Sequence, residues 1–551
     1  MTSETHRLAR LSARVAFAFC AALFCCIPIP ADAKVTVKSA TKQSAALART
    51  SETTPESRPV ADDPTPSEND ASVWFQDDTA PRLRDDVLER AKRRRAAWPD
   101  FQPLKIAKIK ELGIRRIQTK RIDFYTDLAA SPDVDQIPEA LEAAIPKICQ
   151  FFKIDEARFD DLHIDAFLMN DPAPFIELGA LDAPPQFLHG YSFGDRIYAK
   201  RHDSPYYNRF LLTHELVHTI MHELFGDLRP QWFSEGVAEY LGLHRWNPKT
   251  KEIEIAYRPE SEDETPGFGR VRAIRKANAA GLAPTILQML RYEPADFADT
   301  TAYAWCWAFV TFLHNTPKYR DLAEALPYWA IAARPNQLFI DAVGDRWGEL
   351  EYDWTDFVSH IDYEYDFQRA AIDRSARIDA DYDLAQGVVV TVDPAKGWQA
   401  TGLELKANQT YQIVAAGRFK YYLPDADKVM EFEAPGATCE YLFGKPAGRL
   451  LAAVAPDVQN ASFADVNGVD ESQRPEGNDM FRFQAFKNQA FPRFGNETNP
   501  LYPWDEIFEY SSSRMTMTPT RDGELYLRIN ALPKCLKENS GLIKAKIKSV
   551  D

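Results

Sequence analysis

Residues 206–241 constrain the chain more than any other stretch: YYNRFLLTHELVHTIMHELFGDLRPQWFSEGVAEYL. The spacing predicts two helices joined by a turn. Gly226 and Pro230 in GDLRPQ act as breakers between them, and Ser234 is a candidate cap for the second. In an α-helix, positions i and i+4 lie on one face, a turn apart. His214 and His218 can therefore aim two imidazoles at one ion, with Glu215 beside them to act on a water. A catalytic zinc usually takes three protein ligands and keeps one position open. Glu235 on the second helix is the candidate third ligand. Glu239, one turn on, is the candidate acceptor for the outer N–H of a ligand histidine. A chance HExxH arises in about one such chain in a hundred, and the second helix narrows that further. His222 continues the histidine series but lies two turns from His214, too far to share a small ion with both, and is read as structural or surface. His202 and His244 flank the motif with no spacing that assigns them a role.

HELVH followed by WFSEGVAEY resembles the gluzincin clan of zinc metallopeptidases. More narrowly, YYNRFLLTHELVH, WFSEGVAEYLGLHRW and YAWCWAFVTFL are similar to a peptidase-MA-like domain of secreted bacterial proteins, over about residues 105–370. The resemblance implies one Zn²⁺ per chain held by His214, His218 and Glu235, with Glu215 as general base. Leu216 stands where the family commonly has a small residue; it is not a ligand position. A tyrosine on a later helix donates to the developing oxyanion in one branch of the clan, which makes Tyr303 the candidate here. A core aromatic with a satisfied hydroxyl is the other reading of Tyr303, and both stay open.

Leading into that stretch, residues 116–128 read as a strand and 134–152 as an amphipathic helix. Residues 162–169 read as a second strand and 196–200 as a third. By the resemblance, the third strand edges the cleft and pairs with extended substrate. Residues 301–315 are apolar nearly all round and predict a buried helix.

From about residue 381 the texture changes to period-2 alternation, as in GVVVTV, TYQIVAAGRF, ELYLRIN and GLIKAKIKSV. Short alternating strands with turn signals predict a β-sandwich. GWQATGLELKANQTYQIVAAGRF and ELYLRINALPKCLKENSGLIKAKI resemble galactose-binding sandwiches of the PA-IL lectin kind. Those lectins hold sugar through Ca²⁺, with an Asp after the Asn at a strand end. Here Ala531 follows Asn530, so one carboxylate ligand is missing and the case for Ca²⁺ and sugar is weakened.

The beginning of the chain reads as a secretory leader. Arg7, Arg10 and Arg14 precede an apolar run over residues 15–30 and an A-x-A site at Ala31-Asp32-Ala33. That run is short of the roughly 20 residues a span needs. Residues 34–80, rich in Ser, Thr, Pro and acids, predict a disordered tether, and residues 82–98 a charged helix. Three of the seven cysteines fall within the leader region; Cys149, Cys306, Cys439 and Cys535 remain. Cys439 and Cys535 fall in one domain, where a disulfide is open to them, whereas Cys306 reads as a buried thiol. A formal net charge of −16 speaks against nucleic acid as a partner.

The expected organisation is multidomain: leader 1–33, linker 34–80, an α+β zincin-like metallopeptidase domain over 81–380 and an all-β sandwich over 381–551. The expected function is hydrolysis of peptide or protein substrates outside the cytoplasm, secreted or at the cell envelope, with no integral membrane span after cleavage. No acidic motif for a free substrate N-terminus is apparent, so endo- and exopeptidase action both stay open, with a lean to endopeptidase. The alternative is a degenerate or non-peptidase protein that binds a glycan or envelope ligand through its sandwich.

Overall fold

The computed structural model describes residues 101–550 apart from 184–186, 188, 227–229, 331–333, 376–377, 379–381, 456–457, 459–503 and 505. The expected leader, linker and 82–98 helix lie outside the described residues. Those described belong to one compact unit, Asn69–Asp551. Its architecture is mixed α/β, with helices and several separate sheets.

The first sheet has five strands: β1 (Arg115–Gln118), β2 (Ile122–Thr126), β3 (Ile164–Met169), β4 (Gly190–Phe193) and β5 (Arg196–Lys200). Their order is β1-β2-β3-β5-β4. The central three run parallel, and β1 and β4 lie antiparallel at the edges. Nearly every residue of β2, β3 and β5 is buried, as a sheet covered on both faces requires. Helix α1 (Ile137–Phe151) and helix α2 (Pro205–Phe225) cover one face. Tyr125, Phe167, Phe175 and Tyr198 pack together on the other.

Two expectations change here. Residues 116–128 form two strands, because the chain turns tightly at 119–122, where the Thr119 N–H donates to the Ile122 carbonyl. The strand at 196–200 is internal, because GYSF folds back on it as β4 through a turn at Gly194 (φ +61°) and takes the edge.

Helix α2 begins where Ser204 accepts from the Tyr207 N–H at 3.1 Å with Pro205 in the first turn. It ends at Gly226 (φ +76°). Helix α3 (Gln231–Gly242) follows Pro230. Ser234 lies inside it rather than at its cap, since Pro230 already sets the start. Helix α4 (Arg270–Ala279) and helix α5 (Thr300–Asn315) complete the group around the site, and α5 is buried along nearly its whole length as its composition predicts. Helix α6 (Trp347–His360) follows.

Residues 388–550 form mainly antiparallel sheets. One four-stranded sheet joins Met515–Met517, Thr410–Ala416, Ile543–Val550 and Val388–Val392; another joins Ile507–Glu509, Leu450–Ala455, Gly523–Ile529 and Gln399–Leu405. Ile543, Ala545 and Ile547 are fully buried while the intervening lysines are exposed, as the alternation predicts. Core side chains of both sheets and of the α/β part form one continuous cluster. Among the described residues no helix is long and apolar enough to cross a membrane. Cys149, Cys306, Cys439 and Cys535 are all free thiols; Cys535 is buried and Cys439 exposed, so the disulfide left open to that pair is not formed.

Candidate metal centre

Helices α2 and α3 bring His214, His218 and Glu235 together, all three buried. His214 Nε2 and His218 Nε2 are 3.1 Å apart. Glu235 Oε2 is 3.2 Å from the second and 3.3 Å from the first. In a tetrahedral zinc site with bonds of about 2.0–2.1 Å, ligand atoms stand about 3.3–3.4 Å apart. The triangle therefore fits such an ion, and so does its donor set of two imidazoles and a carboxylate. Burial opposes ionisation of Glu235, but His218 and His214 overcome it and hold the carboxyl well below its ordinary range.

The packing that builds this triangle depends on α3 approaching its neighbours closely. A Cβ on Gly236 would stand 2.6 Å from Val310 Cγ2 and 2.7 Å from the Cys306 carbonyl on α5. At Gly242 it would meet the Phe210 ring of α2 at 3.0 Å. Two small residues thus set α3 between α2 and α5 at a distance that lets Glu235 reach across.

Helix α3 also supports the candidate ligands. Ser234 Oγ lies 3.3 Å from His218 Nδ1, where it accepts the ring N–H in the tautomer that leaves Nε2 free to ligate. Gln231 donates its amide to Glu235 Oε1 at 3.0 Å. Sequence reasoning passed over Gln231, although it stands one helical turn before Glu235, and took Ser234 for a cap rather than for the partner of His218. Glu239 is turned mainly to Arg270 of α4, which donates Nε to Oε2 and Nη2 to Oε1, each at 2.8 Å. Its Oε1 is 3.6 Å from His214 Nδ1, beyond hydrogen-bond distance.

Glu215 does not join the triangle. It lies against edge strand β4, so close that a Cβ on Gly190 would be 2.5 Å from its Oε1. Burial pushes its carboxyl up to about 8; His218 opposes this, Glu235 adds to it, and a hydrogen bond from Ser192 opposes it again. A dication in the triangle would favour the ionised form. Gly190 and Ser192 face Glu215, while the alternate residues Tyr191 and Phe193 belong to the opposite face.

Tyr303 on α5 has its ring 6.2 Å from the His214 ring and 5.8 Å from the Arg270 guanidinium. Burial, with Glu235, Glu239 and Glu215 nearby, keeps its phenol protonated far above the ordinary range. His222 is outside the ligand group. His202 accepts from the Ser204 N–H near the start of α2. His244 is fully buried, stacks on Tyr206, donates Nδ1–H to the Gly242 carbonyl at 2.7 Å and accepts from Arg209 Nε at 2.7 Å.

Asp123, His163 and Asp165 also converge. Arg116 and Gln118 already donate to Asp123, and Arg196 flanks Asp165, so the protein itself balances those carboxylates. In the sheets of 388–550, Asn530 donates to the Leu442, Lys445 and Pro446 carbonyls, and Asn539 bonds Tyr422 N and the Pro394 carbonyl. Both amides are spent on backbone, and no further ligand group is found among the described residues.

No protein family and no curated protein matches the chain. Among the solved structures with some likeness to the chain are two weak ones. One is "EclA N-terminal domain; PllA-like lectin", 16% identical, covering 30% of this chain and 98% of that one, with a TM-score of 0.16. The other is IMPa from Pseudomonas aeruginosa in complex with an O-glycopeptide, 10% identical, covering 78% of this chain and 37% of that one, with a TM-score of 0.15. The arrangement of residues 388–550 rests on their own strand pairing rather than on these likenesses.

Proposed function

We propose that the protein is an exported zinc metallopeptidase of the gluzincin kind, with a zincin-like α+β part carrying the site. The observation that supports this best is the triangle of His214, His218 and Glu235 atoms, with edges of 3.1, 3.3 and 3.2 Å, beside the buried Glu215. Those three residues would hold Zn²⁺, which when bound supplies Lewis-acid polarisation and a more acidic water. Glu215 takes the proton of the attacking water as its oxygen adds to the scissile peptide carbon, then delivers that proton to the departing amine nitrogen as the C–N bond breaks. Gly190 and Ser192 hold the Glu215 carboxylate in place. Tyr303, kept protonated, is the candidate donor to the carbonyl oxygen as charge builds on it. Substrate lies along β4, the edge strand of its sheet, and pairs with it as an extended chain. The leader-like pattern of residues 1–33 supports an activity outside the cytoplasm, secreted or at the cell envelope.

Elemental analysis of the purified protein tests the metal: one zinc per chain is expected in wild type, and its loss or marked weakening in Glu235→Ala. Glu215→Gln should keep zinc yet cleave a peptide library about 10²–10⁴-fold more slowly. Absence of zinc in wild type after zinc is supplied would overturn the reading. Bound zinc without Glu215-dependent cleavage would overturn the peptidase part alone.

A further inference from the structure

The three ligand residues are not supported equally. His218 has Ser234, and among the described residues His214 Nδ1 has no hydrogen-bond partner. Glu235 is the ligand whose coordination mode is open by its own chemistry, because a carboxylate can offer one oxygen or both. Its two oxygens are used differently. Oε2 faces both imidazoles, at 3.2 and 3.3 Å. Oε1 is 3.0 Å from Gln231 Nε2. The carboxylate only accepts, so the amide must present its NH₂ group there. Gln231 stands one helical turn before Glu235 on the same helix; Glu235 is buried and Gln231 half-buried.

From this we propose that Gln231 is a positioning residue that holds Glu235 as a one-oxygen ligand. This rests on the zinc-peptidase reading and deepens it. A carboxylate free to rotate can bring its second oxygen onto the same ion and fill the position where water and substrate carbonyl must come. The hydrogen bond to Oε1 competes with that rotation. Gln231 thus keeps one coordination position open without touching metal or substrate. Gln231 is the first residue of α3, a turn ahead of Glu235.

Cobalt substitution reads coordination number directly, since four-coordinate Co²⁺ absorbs visible light several-fold more strongly than five-coordinate Co²⁺. Gln231→Met keeps length and shape and removes the donor; Gln231→Lys keeps a donor. The expected result is a four-coordinate spectrum in wild type, a several-fold loss of visible absorption in Gln231→Met with Co²⁺ still bound, and recovery of the wild-type band in Gln231→Lys. A wild-type spectrum in Gln231→Met overturns the proposal. If Gln231→Met fails to hold metal, Gln231→Lys decides: a wild-type band supports the proposal and a weak five-coordinate band overturns it. A merely structural role would lower metal affinity while leaving the band shape of the bound fraction unchanged. Failure of wild type itself to bind Zn²⁺ or Co²⁺ would sink the underlying metallopeptidase reading instead, so the two failures are told apart.

Discussion

Glu215 shows how much of this site is decided by single atoms. Its place beside the ligand pair is written in HELVH, but its carboxylate is aimed by β4. A methyl group at Gly190 would collide with Oε1 at 2.5 Å. Gly190→Ala should therefore leave zinc content unchanged and lower cleavage by about 10²-fold, the usual cost of misplacing a reacting group by about an ångström. Metal analysis and peptide hydrolysis on the same preparation check it; equal activity would show that Glu215 swings aside at no cost. Glu239 carries a different lesson. Its spacing from Glu235 suggested a partner for a ligand histidine, yet Arg270 takes both oxygens. An arginine fork satisfies a buried carboxylate more completely than one imidazole N–H, and nothing in the spacing of residues 214–239 pointed to Arg270.

Between elements, the decisive contact is α3 against α5. Gly236→Ala would drive a Cβ into Val310 and the Cys306 carbonyl, and backbone cannot step aside as a flexible side chain can. We expect a loss of about 1–3 kcal/mol in chemical denaturation, together with weaker zinc binding because Glu235 is the next residue on that helix. Unchanged zinc affinity would mean that α3 shifts without moving its ligand. His244, where α3 hands over to the short strand His244–Asn247, gives the fold a pH dependence of its own. Burial, with Arg209 nearby, lowers its pKa from 6.5 to about 3. Below 6.5 the unfolded chain binds a proton here that the folded chain refuses. Stability from this group is therefore full above that value and falls as pH drops toward about 3. Between about pH 7.5 and about pH 5, wild type should lose about 2 kcal/mol more than His244→Gln. Parallel curves would show that His244 stays neutral in both states or protonates in both.

Across the whole molecule, the α/β part and the sheets of 388–550 meet through buried polar contacts as well as shared core. Arg374 lies 2.7 Å from Asp353 of α6 with both nearly buried, and Asp353 also accepts from Tyr319 at 2.7 Å. Just beyond, Asp373 pairs with Gln399, and Gly397 N–H donates to the Arg369 carbonyl at 2.8 Å. Arg528 reaches back to within 3.5 Å of His360 at the end of α6. Asp353→Ala would remove the carboxylate 2.7 Å from the buried Arg374 guanidinium and the acceptor of Tyr319, at a cost of about 3–5 kcal/mol. Because the core is continuous, the loss should appear as one lowered unfolding transition. Two separated transitions in calorimetry would show instead that the parts unfold independently.

The sequence by itself determined the periodic features. Those were the i, i+4 spacing of His214 and His218 on α2, the breakers before α3, the buried α5, and the alternation of residues 541–550. Each depends only on neighbours within a turn or along a strand, so local periodicity carries it. Only the tertiary structure decided what depends on distant chain meeting at ångström range. It placed the hairpin strand β4 against Glu215, joined Arg270 to Glu239, and put Gln231 and Ser234 of α3 against their partners. It also spent Asn530 and Asn539 on backbone carbonyls and kept Cys439 and Cys535 apart. Packing chooses those partners among many of like chemistry, and the choice is fixed by how close two backbones can come. That limit is set here by glycines such as Gly190 and Gly236, whose missing side chains acquire meaning only once the opposing element is in place.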